Sequence, residues 1–168
     1  MRLNRFRRLP LMSALAAVIV AAAAGGSLAG PSKADQVARA RVPAHARLTL
    51  RSSEYGKAIF DSSARVLYVF SADRASRSNC YGACANAWPP MLTKGAPTAG
   101  PGLKAGLLGT TKRKDGTLQV TYNRHPLYYY TADKHGKIMC QHANMHGGFW
   151  YVVKANGTPN LAKSKSHM

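Results

Sequence analysis

Eight consecutive residues, Met139-Cys140-Gln141-His142-Ala143-Asn144-Met145-His146, hold two thioethers, a thiol and two imidazoles. Soft sulfur with imidazole is a ligand set suited to copper, and Cys80-x3-Cys84 offers a second sulfur pair. If Cys80, Cys84 and Cys140 converge with His142, Met145 and His146, a Cu(I) or Zn site is chemically feasible, with copper the candidate cofactor. No spacing here matches a defined metal motif, and the plainer expectation is a His- and Met-bearing loop beside a core. The cysteines are also disulfide candidates, and their odd count allows at most one intramolecular bridge. On a regular helix the Cβ atoms of Cys80 and Cys84 would stand about 5–6 Å apart. A disulfide spans roughly 3.5–4.5 Å, so that bridge requires an irregular loop, which Gly82 permits. Cys80–Cys140 and Cys84–Cys140 are the alternatives, and the weight falls on a bridge that includes Cys84.

Other chemistry is thinly represented. There is no Gly-x-Ser-x-Gly, no His-Glu-x-x-His and no phosphate-cradling loop. Beyond residue 40 the carboxylates are Glu54, Asp61, Asp73, Asp115 and Asp133. Cys140 beside His142 or His125 is a bare pairing and a weak signal for a nucleophile. No catalytic residue is assigned, and the expectation is a protein that is not an enzyme, with thiol-redox activity as the alternative.

The elements that must position these residues come in two copies. Residues 56–83 recur without a gap sixty positions later, at 116–143, with 7 identities in 28 positions. The identities are Gly56/Gly116, Leu67/Leu127, Tyr68/Tyr128, Ala72/Ala132, Asp73/Asp133, Cys80/Cys140 and Ala83/Ala143. Such a repeat predicts two copies of one small unit related by a pseudo-twofold axis. Within each copy two segments joined by a turn read as one hairpin, Ala58–Asp61 with the β-branched and aromatic Arg65–Phe70, and Thr117–Tyr122 with Leu127–Tyr130. Tyr68 and Phe70, two apart, face one side of a strand and suit a core, as do Tyr128 and Tyr130. Asp73 and Asp133, just past the strand ends, are placed to cap the following turn. Phe149–Val153 reads as a closing strand, with Trp88 the counterpart of Trp150 after a two-residue insertion. A short helical turn fits Tyr81–Trp88. The expected fold is all-β, a compact two-repeat pseudo-symmetric sandwich or barrel-like domain with short helical turns.

On these residues the chain resembles a family of bacterial secreted-repeat proteins, predicted lipoproteins with a Yx(F/W/Y)xxD motif. The motif stands at Tyr68–Asp73 and again at Tyr128–Asp133. Asn79-Cys80-Tyr81-Gly82-Ala83-Cys84 through Trp88-Pro89-Pro90, and Gly147 to Val153, match the flanking signatures. The resemblance covers roughly residues 54–155 and implies an export-targeted repeat protein with no settled activity. The chain departs from many relatives at Pro31, which stands where a lipidated cysteine would follow Leu28-Ala29-Gly30.

Arg2, Arg5, Arg7 and Arg8, then an apolar stretch from Leu9 to Ala24 and small residues after it, have the order of a signal peptide. The organisation expected is 1–40 signal peptide and linker, 41–53 lead-in, 54–155 the β domain, and 156–168 a disordered basic tail. Within the domain, repeat one is 54–94, a flexible connector 95–106 and repeat two 107–155. Residues 41–168 carry 18 Lys and Arg against 5 Asp and Glu, a net of +13. Anionic envelope components are candidate partners on that account, although a merely solvated surface is the stronger reading. No nucleic-acid-binding motif accompanies the charge. The expectation is an exported monomer, periplasmic or extracellular, neither lipid-anchored nor membrane-spanning once mature.

Overall fold

A computed structural model describes residues 42–163. The signal peptide, its cleavage region and Pro31 lie outside the described residues, as do the last five positions. The domain is mainly β, with ten short strands, one five-residue helix and one 3-10 turn. In order these are β1 (Arg47–Ser53), β2 (Gly56–Asp61), β3 (Tyr68–Phe70), helix α1 (Ala83–Ala87), β4 (Leu92–Thr93) and β5 (Thr98–Ala99). After the 3-10 turn (Ala105–Leu107) come β6 (Leu108–Lys112), β7 (Leu118–Tyr122), β8 (His125–Pro126), β9 (Ala143–Met145) and β10 (Gly148–Val152). They form three small sheets, β2-β1-β5, β3-β10-β9 and β4-β7-β6 with β8 on β7, and no barrel closes.

The repeat offset is visible in the hydrogen bonding. β1–β2 and β6–β7 are equivalent antiparallel hairpins, each closed near a glycine, Gly56 or Gly116, with φ of 83° in both. The two copies meet where equivalent residues bond to each other. Tyr68 N–H donates to Tyr128 C=O (2.9 Å) and Tyr128 N–H donates to Tyr68 C=O (3.0 Å). The pseudo-twofold axis therefore runs between the two motif tyrosines.

The closing segments cross over. β10, from repeat two, pairs with β3 of repeat one, with Val152 opposite Tyr68. Its counterpart places Pro90 opposite Tyr128 in a single bridge, so Leu127–Tyr130, expected as a strand, forms only isolated bridges at Tyr128. Pro89 and Pro90 lack the N–H that a ladder needs, which explains why one copy closes on a strand and the other on a bridge. β4 likewise lies on β7, and Val153 accepts a hydrogen bond from Ile59 N–H (2.9 Å) in β2.

Side-chain alternation along β3 sends Tyr68 and Phe70 into one core cluster and Leu67 and Val69 into another. The first cluster contains a symmetric set of six rings. Phe70, Trp150, Trp88 and Tyr130 are stacked in that order at 4.2, 3.9 and 4.4 Å between centroids. Tyr68 meets Trp88 edge-on and Tyr128 meets Trp150 edge-on, each at 5.2 Å. Both tryptophans are fully buried. Offset stacks and edge contacts are the favoured aromatic geometries, worth about 0.5–1.5 kcal/mol per pair beyond burial.

The ends of the domain fall elsewhere than composition suggests. Leu48 in the 41–53 lead-in is fully buried, and β1 is the central strand of its sheet. The expected flexible connector is held by Thr98 N–H to Ala46 C=O and Gly100 N–H to Leu48 C=O, both 2.8 Å. Residues 156–162 are packed rather than a free tail. The Gln141 amide donates to Asn160 C=O (2.6 Å) and Ala162 C=O (2.7 Å), and Asn160 N–H donates to Val152 C=O (2.9 Å). Polar composition does not reveal such long-range backbone pairing. Among the described residues no helix is long and apolar enough to cross a membrane.

Candidate functional site: two related cavities with an aspartate each

The structure separates the soft-ligand set. Cys80 and Cys84 form a disulfide with Cα atoms 5.2 Å apart. Gly82 between them takes a φ of 55°, so the segment is the irregular entry to α1 rather than regular helix. These two cysteines are therefore not metal ligands, and Cys140 is left as the free thiol. His142 does not join it. Its ring packs on Phe149 and Tyr151 at 5.3 and 5.2 Å, and these flank the buried Trp150 on the opposite side of β10. His146 (φ 55°) and Gly147 (φ 82°) form the exposed two-residue turn between β9 and β10, where φ is positive at both positions. Among the described residues no group of three or more His, Cys, Asp and Glu side chains could hold a metal. What remains of the cluster is Cys140 Sγ beside Met145 Sδ at 4.0 Å. The thiol is pushed up from its ordinary pKa, chiefly by burial and further by the charge of Asp133.

The motif aspartates sit in equivalent places. Asp73 Oδ1 accepts Asn79 N–H (2.7 Å) and Asp133 Oδ1 accepts Met139 N–H (2.9 Å), residues that are themselves sixty apart. Each aspartate faces the motif tyrosine of the other repeat. The Tyr128 hydroxyl donates to Asp73 Oδ2 at 2.7 Å. A polar network backs that pair. Ser78 Oγ lies 2.7 Å from the Tyr128 hydroxyl, and Arg113 donates to Ser78 Oγ, Gln119 Oε1 and Cys80 C=O. Sequence reasoning missed Arg113, which is buried (4% exposed) despite standing in a Lys-Arg-Lys run. The second copy has no such network, because the repeat offset puts Ile138 at the place of Ser78, Ser53 at that of Arg113 and Ile59 at that of Gln119. There the buried Tyr68 hydroxyl and Asp133 Oδ2 face each other without a well-formed hydrogen bond.

A cavity opens beside each aspartate, and the two are lined by equivalent residues. Val69, Phe70, Ser71, Asp73 and His125 line a space of about 80 Å³. Tyr129, Tyr130, Thr131, Asp133 and Arg65 line one of about 250 Å³. Tyr151 in the first is matched by Pro89 in the second, following the two-residue offset of the closing segments. Burial raises both carboxyls to a pKa of about 6, with the capping N–H groups pulling the other way. Arg65 in the larger cavity bonds Asp61 Oδ2 through Nε (3.0 Å), and its guanidinium lies 3.8 Å from the Tyr129 ring centroid. The signal for this pair of sites was in the sequence as the repeated aspartate. Their difference depended on the repeat positions that do not match.

A family model described as a secreted repeat of unknown function matches residues 49–91 and 109–154, one segment for each copy and together more than half of the chain. No curated protein and no solved structure matches.

Proposed function

The chain belongs to this family of secreted repeats of unknown function, and from that premise we propose a non-enzymatic binding role outside the cytoplasm, with anionic envelope components as the partner. One observation carries the reading. Asp61, Asp73, Asp115 and Asp133, all the aspartates among the described residues, accept hydrogen bonds from backbone N–H groups of their own loops. Ion pairs form at Arg65–Asp61 and Arg113–Asp115, and residues 41–168 carry 18 Lys and Arg against 5 Asp and Glu. The exposed lysines and arginines thus face solvent largely uncompensated, and a polyanion is the partner such a field attracts. A non-enzymatic role is supported by a disulfide that ties up two of the three thiols and by a third held toward its protonated form.

The test is co-sedimentation of the mature protein with purified acidic and neutral cell-wall polysaccharides. Retention on the acidic polymer that is lost when salt rises from about 0.05 to 0.5 M supports the reading, because surface attraction is screened over a few Å at high salt. Equal retention on neutral polymer, or indifference to salt, refutes it.

A second reading keeps copper, on the 4.0 Å contact of Cys140 Sγ with Met145 Sδ. Two sulfurs each about 2.3 Å from one soft ion can stand that far apart. Reduced protein that binds Cu(I) no tighter than about 1 μM, or a Cys140→Ser variant that binds as well as the parent, removes this reading.

A further inference from the structure

Two loop-to-turn junctions relate the copies. Ser76 N–H donates to Arg124 C=O (2.6 Å) at one, and Gly136 N–H donates to Ala64 C=O (3.0 Å) at the equivalent other. All four residues have positive φ, between 53° and 70°. Glycine takes up such a backbone without strain, whereas an L side chain costs about 1–2 kcal/mol. The first junction nevertheless carries a serine and an arginine. Its two-residue turn is Asn123-Arg124, where Asn-Gly is the favoured pair.

A cavity adjoins each junction. At the second, of about 240 Å³, the lining includes Asp61, Ser63 and Arg65, and Asp61 is ion-paired to Arg65 at 3.0 Å. At the first, of about 350 Å³, it includes Ser76, Thr110, Thr121, Asn123 and Arg124. Thr121 stands at the repeat position of Asp61, so a hydroxyl replaces the acid. None of the described residues lining this cavity carries a carboxylate. Asp73, on the same loop as Ser76, is committed to Asn79 N–H and the Tyr128 hydroxyl. Arg124 is exposed, and so are Arg74 and Arg77 on either side of Ser76. Gly109 keeps the space clear, because a Cβ there would stand 3.0 Å from Thr121 Oγ1. One cavity thus balances charge within itself, and the other sets a guanidinium among neutral donors.

We propose that this cavity binds a phosphate ester carried on a sugar or polyol, with the phosphate at Arg124 and the hydroxyl-rich part against Ser76, Thr110 and Asn123. The donors come from a loop, a strand and a turn, and so approach from several sides. A tetrahedral phosphate ester offers three acceptor oxygens and up to two charges to such a set. A planar carboxylate offers two oxygens and one charge. The volume falls at the low end of the roughly 300–1,000 Å³ of small-ligand sites, room for one sugar or polyol unit. The proposal rests on the polyanion reading and deepens it, by naming the acidic group and the place where it is held.

The experiment is calorimetric titration of the full mature protein with glucose 1-phosphate, glycerol 3-phosphate, glucuronate, glucose and inorganic phosphate. At least one ester should bind saturably with a Kd of about 1 mM or tighter, and glucose and glucuronate should bind about tenfold more weakly. Arg124→Gly removes the guanidinium and suits the φ of 64°, so it should lose about tenfold in affinity while Tm stays level or rises. Lys57→Gln removes one exposed charge elsewhere and should bind the ester as the parent does. Absence of saturable binding by both esters overturns the proposal, as does binding of glucuronate, glucose or inorganic phosphate as tight as that of the better ester. Equal affinity of Arg124→Gly and the parent, or an equal loss in both variants, overturns it too. Failure of the esters with salt-sensitive retention on acidic polymer intact removes this site and leaves the polyanion reading standing.

Discussion

An aspartate at the end of each motif is asked to do two things at once, cap a turn through one oxygen and face a tyrosine through the other. The compromise shows in Asp73, whose burial raises its pKa to about 6 against capping and tyrosine hydrogen bonds that lower it. The folded state then binds a proton more tightly than the unfolded state, where an aspartate titrates near about 3.9. Stability from this group is greatest below the unfolded pKa and is lost as pH rises through the folded value. The protein should accordingly have a higher Tm at pH 5 than at pH 7.5, and Asp73→Asn should reduce that difference in a calorimetric scan without abolishing it, because Asp133 is raised in the same way. The capping place of Asp73 was legible because Asx residues after a strand bond to backbone two or more positions on. The poorer pairing of Asp133 with Tyr68 was not, since it depends on Ile138, Ser53 and Ile59 standing at the repeat positions of Ser78, Arg113 and Gln119. At Cys140 the raised pKa predicts alkylation of the native reduced protein much slower than of the same protein in denaturant, and comparable rates would contradict it.

Elements show how far the two copies remain one design. Gly56 and Gly116 share a φ of 83°, and a Cβ added to either meets nothing within 4 Å. Replacement of either by Ala adds backbone strain alone, about 1–2 kcal/mol, and the two variants should lose nearly equal stability in urea titrations. A clear inequality would mean that the equivalent turns are not equivalent in energy. The strands at 56–61, 68–70 and 118–122 were legible from alternation and turn residues, and α1 falls within the expected Tyr81–Trp88 turn, but their pairing partners were not: β2 and β7 close hairpins with β1 and β6 rather than with the motif segments. The short strands β4, β5 and β9 were not legible, because two or three residues carry no periodicity and their pairing partners lie far away in sequence. The tryptophans mark the limit of symmetry. Trp88 follows a helix and Trp150 lies on β10, yet their rings stack at 3.9 Å. Truncation of either to Ala should cost about 3–5 kcal/mol, measured as a shift in the unfolding midpoint.

At the level of the molecule, the crossed closing segments decide whether the repeats are units in the folding sense. β10 of the second copy completes the first copy's motif strand, β4 of the first lies on the second copy's hairpin, and the four-ring stack alternates between the copies. Each half alone would leave exposed one tryptophan face, one unpaired motif strand and half of an apolar core. Below about 70–80 residues a single core seldom supplies more than about 3–5 kcal/mol, and separation removes the contacts on which that core depends. Residues 42–104 and 105–163, produced as separate chains, should each lack the near-ultraviolet circular dichroism of packed aromatics. Mixed at equal concentration, they should recover it, with a midpoint that rises with concentration as for any association. The Tyr68–Tyr128 backbone pair lies on the axis, so the recovered complex should also restore slow amide exchange at those two positions. A native aromatic signal from either half by itself would show that the copies are autonomous and that their interlocking came after, rather than with, the fold.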